Sequence, residues 1–279
     1  MKRAAIVIAV LGISASVWAQ DKTAPQNAPS AQATPTQGKR APAAKTQPEF
    51  DAYKAAIQLT DPAAAEKAAE DFSAKFPDSE LRVVLFKSAM QKYQANADKM
   101  LEMAQKSLAI DPDDPEALVT ASQVLAEKTR DTDLDRDQKL AEAKKDAERA
   151  LVTVDSDVPT AGFPPEKIDQ FKRFIRSEAY AILGTLASNA KNYAEAETDL
   201  RKSIEAFPEQ VDPVAVLRLA IVLDMQNKYP DALKYANQAV DLTKNQPDSP
   251  AAKAAHSEQD RLTKLSSGSA PGQSAAPQK

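Results

Sequence analysis

Residues 180–208 read YAILGTLASNAKNYAEAETDLRKSIEAFP, and residues 216–244 read VLRLAIVLDMQNKYPDALKYANQAVDLTK. In each stretch, apolar side chains recur at helical spacing on both sides of a short polar break, which predicts two consecutive helices. Three positions keep the same residue and a fourth keeps a small residue at one offset of 36 residues; the pairs are Leu183 and Leu219, Tyr193 and Tyr229, Ala196 and Ala232, and Gly184 and Ala220. The pattern indicates a helix-turn-helix unit repeated in tandem.

The small residues of the pattern have a physical reason. Gly184 and Ala196 fall where the two helices of one unit are expected to cross most closely. Because protein interiors are close-packed, a larger side chain at either position would push the two backbones apart.

These residues resemble the tetratricopeptide repeat, a helix-turn-helix unit of about 34 residues. The matching positions, from the opening of the first helix to the end of the second, are Tyr180, Leu183, Gly184, Tyr193, Ala196 and Pro208. The resemblance implies an all-α, right-handed α-solenoid that holds another protein or peptide and is not an enzyme.

Weaker copies of the unit precede this pair. The helix pairs are predicted at 50–59 with 62–76, at 81–93 with 97–110, and at 115–128 with 134–154. The third pair departs from the pattern because its inter-helix loop is long. We therefore expect about five units, with prolines at helix first turns, where the missing N–H costs nothing; these are Pro62, Pro115, Pro213 and Pro230.

Two helices depart from the regular pattern. After a loop at 154–165, the helix that contains Tyr180 and Gly184 is predicted to be unusually long, at 166–190, and its first half carries Ile168, Phe171 and Phe174. These apolar residues either pack on the preceding helix pair or form a ledge for a partner. The polar segment 249–265 is expected to form a C-terminal capping helix.

The two ends of the chain differ from this repeat body at 48–265. Residues 1–19 combine Lys2 and Arg3 with a short apolar run, as in a secretory signal peptide cleaved near Ala19. The run is too short to span a bilayer, so we expect no transmembrane segment in the mature chain. Residues 20–47 and 266–279 have the composition of a disordered linker and tail. The leader looks bacterial and predicts a periplasmic or secreted protein.

Composition excludes several kinds of chemistry. The chain has no cysteine, so lipid anchoring on cysteine is excluded, and it has one histidine and only six glycines. These counts argue against histidine-paired metal sites and glycine-rich phosphate loops. The formal net charge of −4 argues against a nucleic-acid partner. We expect no cofactor and no catalytic residues.

One local pattern suggests a metal site. Five carboxylates occupy the ligand positions of a twelve-residue calcium loop flanked by helices; they are Asp131, Asp133, Asp135, Asp137 and Glu142. Arg136, however, stands where such a loop needs glycine. The alternatives are a calcium-responsive envelope module and a polar loop that caps the following helix.

The resemblance also implies a binding groove lined by the first helix of each unit. The corresponding residues in the fourth and fifth units are Glu178, Thr185, Ser188, Asn189, Leu217, Ile221 and Asp224. The basic cluster with which some relatives hold a terminal carboxylate is absent. A mixed polar and apolar groove of this kind suits an extended or helical peptide.

Overall fold

The computed structural model of the chain describes residues 39–160 and 162–266. Within these ranges the predicted all-α fold is confirmed, since eleven α-helices and no strands are present. The helices are α1 Gln47–Ile57, α2 Pro62–Lys75, α3 Leu81–Lys92, α4 Ala97–Leu108, α5 Pro115–Lys128, α6 Arg136–Thr153, α7 Pro165–Asn189, α8 Tyr193–Ala206, α9 Pro213–Met225, α10 Tyr229–Thr243 and α11 Pro250–Ser266. Each helix packs against the next along the chain, as in an α-solenoid. The predicted signal peptide, most of the linker and nearly all of the tail lie outside the described residues.

Aspartate-proline pairs begin three of the helices. The carboxylates of Asp61, Asp114 and Asp212 accept hydrogen bonds from backbone N–H groups of the first turns of α2, α5 and α9. The proline that follows each aspartate has no N–H to leave unsatisfied and already has a helical φ. The predicted first-turn positions of Pro62, Pro115, Pro213 and Pro230 are confirmed.

The 36-residue repeat extends to the backbone hydrogen bonds of the turns. Lys191 and Asn227 both have positive φ, 62° and 60°, between the two helices of the fourth and fifth units. The residues after them, Asn192 and Lys228, donate N–H bonds of 2.8 Å and 2.9 Å to carbonyls five residues earlier. Such bonds satisfy carbonyls that a helix end would leave without partners. The two units therefore share one turn geometry.

Small residues lie at the helix crossings, as the sequence predicts. Ala196, Ala220 and Ala232 have no exposed surface. A Cβ added at Gly184 would lie 2.7 Å from Leu200 Cγ and 3.1 Å from the Leu200 backbone nitrogen. The contact between α7 and α8 thus depends on the absence of a side chain at residue 184.

The long helix α7 has 25 residues and joins two parts of the core. In its second half, Ala181 and Ala187 are buried against α8 and α9. In its first half, Ile168, Phe171 and Phe174 are partly buried against a cluster that includes Leu118 of α5. The prediction that these apolar residues pack on the preceding helix pair is confirmed.

Helix α11 covers the C-terminal end of the solenoid, as predicted. It buries Ala252, Ala255 and Leu262 against α9 and α10. Arg261 adds an ion pair of 2.5 Å to Asp224 of α9. The remaining face of α11 is largely exposed and polar, which a solenoid end needs for solubility.

The body begins before the predicted boundary at residue 48. Thr46 caps α1 by accepting a hydrogen bond from the Glu49 N–H, and the buried Glu49 carboxylate accepts one of 2.7 Å from the Lys45 N–H. Residues 39–45, which the sequence assigns to the linker, make hydrogen bonds to the turns and the loop between helices. The composition of this segment is that of a linker, but Lys39 and Arg40 pair with carboxylates of the repeat body.

Asp146 on α6 gives a pH-dependent prediction. Burial, and then the charge of Glu142, raise the pKa of Asp146 to about 6. The folded chain therefore favours the protonated acid, and the resulting stabilisation is present below pH ~4 and lost as pH rises through 6. Because the side chain is only partly buried, we expect Asp146→Asn to raise the free energy of unfolding by about 1 kcal/mol at pH 7.5.

Urea unfolding at pH 7.5 and pH 3.5 measures this effect. The gain from Asp146→Asn should vanish at the lower pH, where Asp146 is also uncharged. Glu148→Gln, an exposed change on the same helix, is the matched control and should show no such difference. A destabilised Asp146→Asn variant at pH 7.5 would contradict the prediction.

Candidate functional site

A cavity of about 530 Å³ lies among the first helices of the first three units, α1, α3 and α5. The start of α7, the preceding loop and residues 39–42 close its remaining sides. Its wall is mainly apolar; the apolar residues outside the segment 39–42 are Tyr53, Ile57, Val83, Val84, Ile110, Val158, Pro159, Phe163, Ile168 and Phe171. A concave, mostly apolar cavity with a few polar groups is the usual form of a binding site.

The charged residues around the cavity are predominantly acidic. Apart from residues 39–42, five carboxylates and one ammonium group line it, which gives a net charge of −4; they are Glu80, Asp111, Asp114, Glu116, Asp157 and Lys87. The carboxylates come from successive junctions between units: the α2–α3 turn, the α4–α5 turn with the start of α5, and the α6–α7 loop. The solenoid therefore places one acidic group after another along this face.

Lys87 holds the two acidic residues at the start of α5. Its Nζ lies 2.8 Å from Asp114 Oδ2 and 3.1 Å from Glu116 Oε2. Gln91 Nε2 donates a hydrogen bond of 2.5 Å to the other oxygen of Glu116. Burial alone would lower the pKa of Lys87, but Asp114 and then Glu116 outweigh it and raise the pKa. This network is hydrogen-bonded throughout and fixes the floor of the cavity.

Lys39 crosses the mouth of the cavity. Its backbone N–H donates a hydrogen bond of 2.8 Å to the Ser156 carbonyl. Its Nζ lies 2.5 Å from Asp111 Oδ2 and 3.4 Å from Asp157 Oδ1. Burial lowers the pKa of Lys39, but the hydrogen bond and charge of Asp111, with those of Asp157, raise it overall. One lysine thus joins the α4–α5 turn to the α6–α7 loop.

The next basic residues of the segment bind the first junction. Arg40 Nη2 donates hydrogen bonds of 2.6 Å and 2.7 Å to the two oxygens of Glu80. Lys45 Nζ donates one of 2.8 Å to the Asp78 carbonyl. Residues 39–44 have no helix or strand of their own. An irregular basic segment therefore lies along an acidic face in the manner of a peptide ligand.

The predicted groove residues of the fourth and fifth units lie in different environments. Glu178, Thr185 and Leu217 are at most 8% exposed, and the Thr185 hydroxyl contacts Arg218 and donates to the Ala181 carbonyl. Asp224 is held by Arg261 of the capping helix.

Of the remaining groove residues, Asn189 and Ile221 are exposed and Ser188 is partly exposed. A ligand on this face would meet these three side chains first. Binding by the predicted set stays a prediction.

The aspartate loop contains its own cations. Arg136 pairs with Asp131 at 3.1 Å and Asp137 at 2.8 Å, and Lys139 pairs with Asp135 at 2.9 Å and Asp133 at 3.6 Å. Calcium would have to displace both basic side chains. Glu142, the fifth proposed ligand, is the seventh residue of α6. Calcium binding here stays a prediction.

Another acidic cluster does come together. Within 39–160 and 162–266, Glu66, Glu70 and Glu102 form the one carboxylate group with oxygens mutually within 4.8 Å. Lys99 lies 2.7 Å from Glu66, and Lys106 lies 2.5 Å from Glu70 and 2.8 Å from Glu102. These lysines supply the positive charge that such a group requires.

The cavity in the first three units has no recognisable motif in the sequence. Its acidic residues sit in turns, where aspartate is ordinarily explained by capping. A usable signal was the recurrence of acidic pairs at each junction, such as Asp78 with Glu80 and Asp155 with Asp157. The adjacent Lys39 and Arg40 in an otherwise uncharged stretch of the linker were the complementary signal.

Comparisons with known proteins give the fold. No protein-family model matches the chain, and no curated protein sequence matches it. Eleven chains of solved structures match. One is a tetratricopeptide repeat protein from Parabacteroides merdae, 18% identical, with a TM-score of 0.52, covering 78% of this chain and 75% of that one. Another is an assembly chaperone of RpL4, 14% identical, with a TM-score of 0.39, covering 79% and 97%.

The helices themselves give one further constraint. In the part of the chain that the structure describes, none of the helices has both the length and the apolar character needed to cross a bilayer. Three observations define the architecture: turns of the same geometry recur every 36 residues, small residues lie at the helix crossings, and the fold matches a solved structure. The chain has the α-solenoid fold of tetratricopeptide repeat proteins.

Proposed function

We propose that this chain is a non-catalytic scaffold that binds a segment of a partner protein in the cavity formed by α1, α3, α5 and the start of α7. The observation that carries the proposal is the cavity itself, apolar on its wall and acidic at its rim. An apolar wall of this kind gives affinity by burying a partner's side chains. The acidic rim gives register and specificity.

The arrangement of the charged groups supports recognition over catalysis. Lys87, Asp114 and Glu116 are bonded to one another, and Asp114 also caps α5. A general acid or base must instead reach a substrate proton. Ile168 and Phe171 belong to both the core packing of α7 and the cavity wall, so a partner bound here would contact residues that are already held in place.

We also propose that the protein works in the bacterial envelope, in the periplasm or outside the cell. The support is the leader-like sequence of residues 1–19, with cleavage near Ala19. Fractionation of cells expressing the full chain, followed by N-terminal sequencing of the mature protein, tests this proposal. Recovery of an uncleaved chain from the cytoplasm would oppose it.

Site-specific photocrosslinking tests the binding site. A photoreactive amino acid at Ile168, which is partly buried in the cavity wall, should capture a partner protein that mass spectrometry identifies. Val152 is the matched control, because it lies on α6 and is 67% exposed away from the cavity. Equal capture from both positions would count against the cavity.

A binding measurement with the purified partner follows. Ile168→Glu places a carboxylate among apolar and acidic groups and should weaken binding by about tenfold or more. Val152→Glu adds the same charge to a surface outside the cavity and should leave affinity within about twofold. Urea unfolding of both variants verifies that each is folded. Unchanged affinity of a folded Ile168→Glu variant would refute the proposed site.

A further inference from the structure

We infer that the partner segment is extended and basic, with two adjacent Lys or Arg residues followed two positions later by a large apolar residue, and that residues 39–45 occupy its place within the same chain. The inference rests on the proposed function. It adds the chemistry of the ligand and the identity of its internal competitor.

The charge of the cavity favours a basic segment. Without residues 39–42, the cavity and its rim have a net charge of −4. Lys39 and Arg40 neutralise only part of this charge and pair with Asp111, Asp157 and Glu80. The resulting negative electrostatic potential attracts cationic segments and repels anionic ones.

The internal segment shows how two adjacent basic residues fit this face. Lys39 and Arg40 are adjacent in sequence, yet their side chains reach different junctions between units. Lys39 bridges the α4–α5 turn and the α6–α7 loop, whereas Arg40 reaches the α2–α3 turn through both oxygens of Glu80. The backbone N–H of Lys39 adds a sequence-independent hydrogen bond to Ser156. Any extended chain with two adjacent basic residues could make these contacts.

The space below the internal segment is incompletely filled. Pro42 lines the cavity two residues after Arg40 but leaves a volume of about 530 Å³ unfilled. Ile57, Val84 and Phe171 are among the apolar residues around that volume. A leucine or aromatic residue in place of Pro42 would bury apolar surface that the internal segment leaves in contact with solvent. An external segment can therefore bind better than the internal one.

The internal segment is also weakly held. The side chains of Arg40 and Glu80 are 67% and 45% exposed, and that of Lys39 is 38% exposed. Ion pairs between exposed side chains contribute little to stability and weaken with salt. Covalent attachment gives the segment a high effective concentration, so it competes without strong contacts.

A peptide titration followed by NMR of the isotope-labelled protein tests the inference. The probe is a synthetic peptide with the sequence of residues 38–47 and the change Pro42→Leu. We expect it to shift amide resonances around the cavity, including that of Ser156. Binding should be about threefold to tenfold tighter to Lys39→Gln/Arg40→Gln protein, in which the internal competitor is disabled, than to the unmodified protein.

Three controls make the result specific. A peptide with glutamate in place of its basic residues should not bind. Asp111→Asn and Asp157→Asn, added to the Lys39→Gln/Arg40→Gln protein, should lower the affinity for the basic peptide by about threefold or more. Both changes remove the charge and keep the side-chain shape. The peptide that retains Pro42 should bind about tenfold more weakly than the leucine peptide, because less apolar surface is buried.

The outcomes separate this inference from the proposed function. Equal binding of basic and acidic peptides, or binding that is unchanged by Asp111→Asn and Asp157→Asn, overturns the inference. So does the absence of any shift with the basic peptide on the Lys39→Gln/Arg40→Gln protein. In each of these cases, photocrosslinking of a partner from Ile168 would still support a binding cavity. If instead the basic peptide binds but photocrosslinking from Ile168 captures no protein, the result would count against a protein partner in the cell.

Discussion

Lys87→Met should lower the free energy of unfolding by about 3 kcal/mol. The lysine side chain is 19% exposed, and its two partners are 6% and 10% exposed, so methionine would leave two largely buried carboxylates without their counter-charge. Removing one member of a buried ion-pair network is costly for that reason. Urea unfolding monitored by circular dichroism gives the value.

Two controls identify the cause of this loss. Lys87→Met combined with Asp114→Asn and Glu116→Gln removes the unpaired charges while keeping a capping side chain at residue 114, and should recover at least half of the loss. Lys67→Met removes an exposed lysine that pairs with Asp71 and should change stability by less than about 0.5 kcal/mol. A triple variant no more stable than Lys87→Met would show that the loss has another origin.

Gly184→Ala should also destabilise the protein, by about 2 kcal/mol, although alanine favours helices by about 1 kcal/mol over glycine. The added methyl would lie 2.7 Å from Leu200 Cγ and 3.1 Å from the backbone of α8, so α7 and α8 must separate. The matched position in the fifth unit already carries the methyl of Ala220, with no exposed surface. Ala220→Gly should therefore cost only about 1 kcal/mol, chiefly through helix propensity.

A double-mutant cycle tests the steric explanation. Leu200→Ala alone removes a fully buried side chain and should cost about 2–5 kcal/mol. It also opens the space that the methyl at residue 184 needs. Gly184→Ala should therefore cost less in the Leu200→Ala background, with a coupling of about 1 kcal/mol or more. Additive losses would mean that Leu200 does not limit the contact.

The regular helices could be predicted from the sequence because local signals determine them. Asp-Pro pairs mark the starts of α2, α5 and α9, and small residues at a fixed offset mark the crossings. The long helix was predicted at 166–190 and begins at Pro165. The helix starts and apolar spacings depend on residues within a turn or two of one another, and the crossings recur at a fixed repeat length, so both can be read directly from the sequence.

The candidate site could not be predicted in the same way, because its residues are far apart in sequence. Lys39 meets Asp111 across 72 residues, and Arg40 meets Glu80 across 40. The composition of residues 39–45 indicates that they cannot form a hydrophobic core. It does not reveal that ionic contacts hold these residues against the repeat body. In the last two units, the sequence pattern predicts groove positions for Thr185 and Asp224. In the structure, these side chains contact Arg218 and Arg261 of the protein itself.

The path of residues 39–45 has a consequence for how the solenoid unfolds. In a stack of repeats, each unit is stabilised mainly by its neighbours, so an end unit can open alone. Here one short segment joins the junctions after the first, second and third units through Glu80, Asp111 and Ser156. If α1 and α2 open together with this segment, contacts with the third unit break as well. A partner that displaces the segment would release this long-range restraint, and hydrogen exchange in α1 and α2 would then become faster.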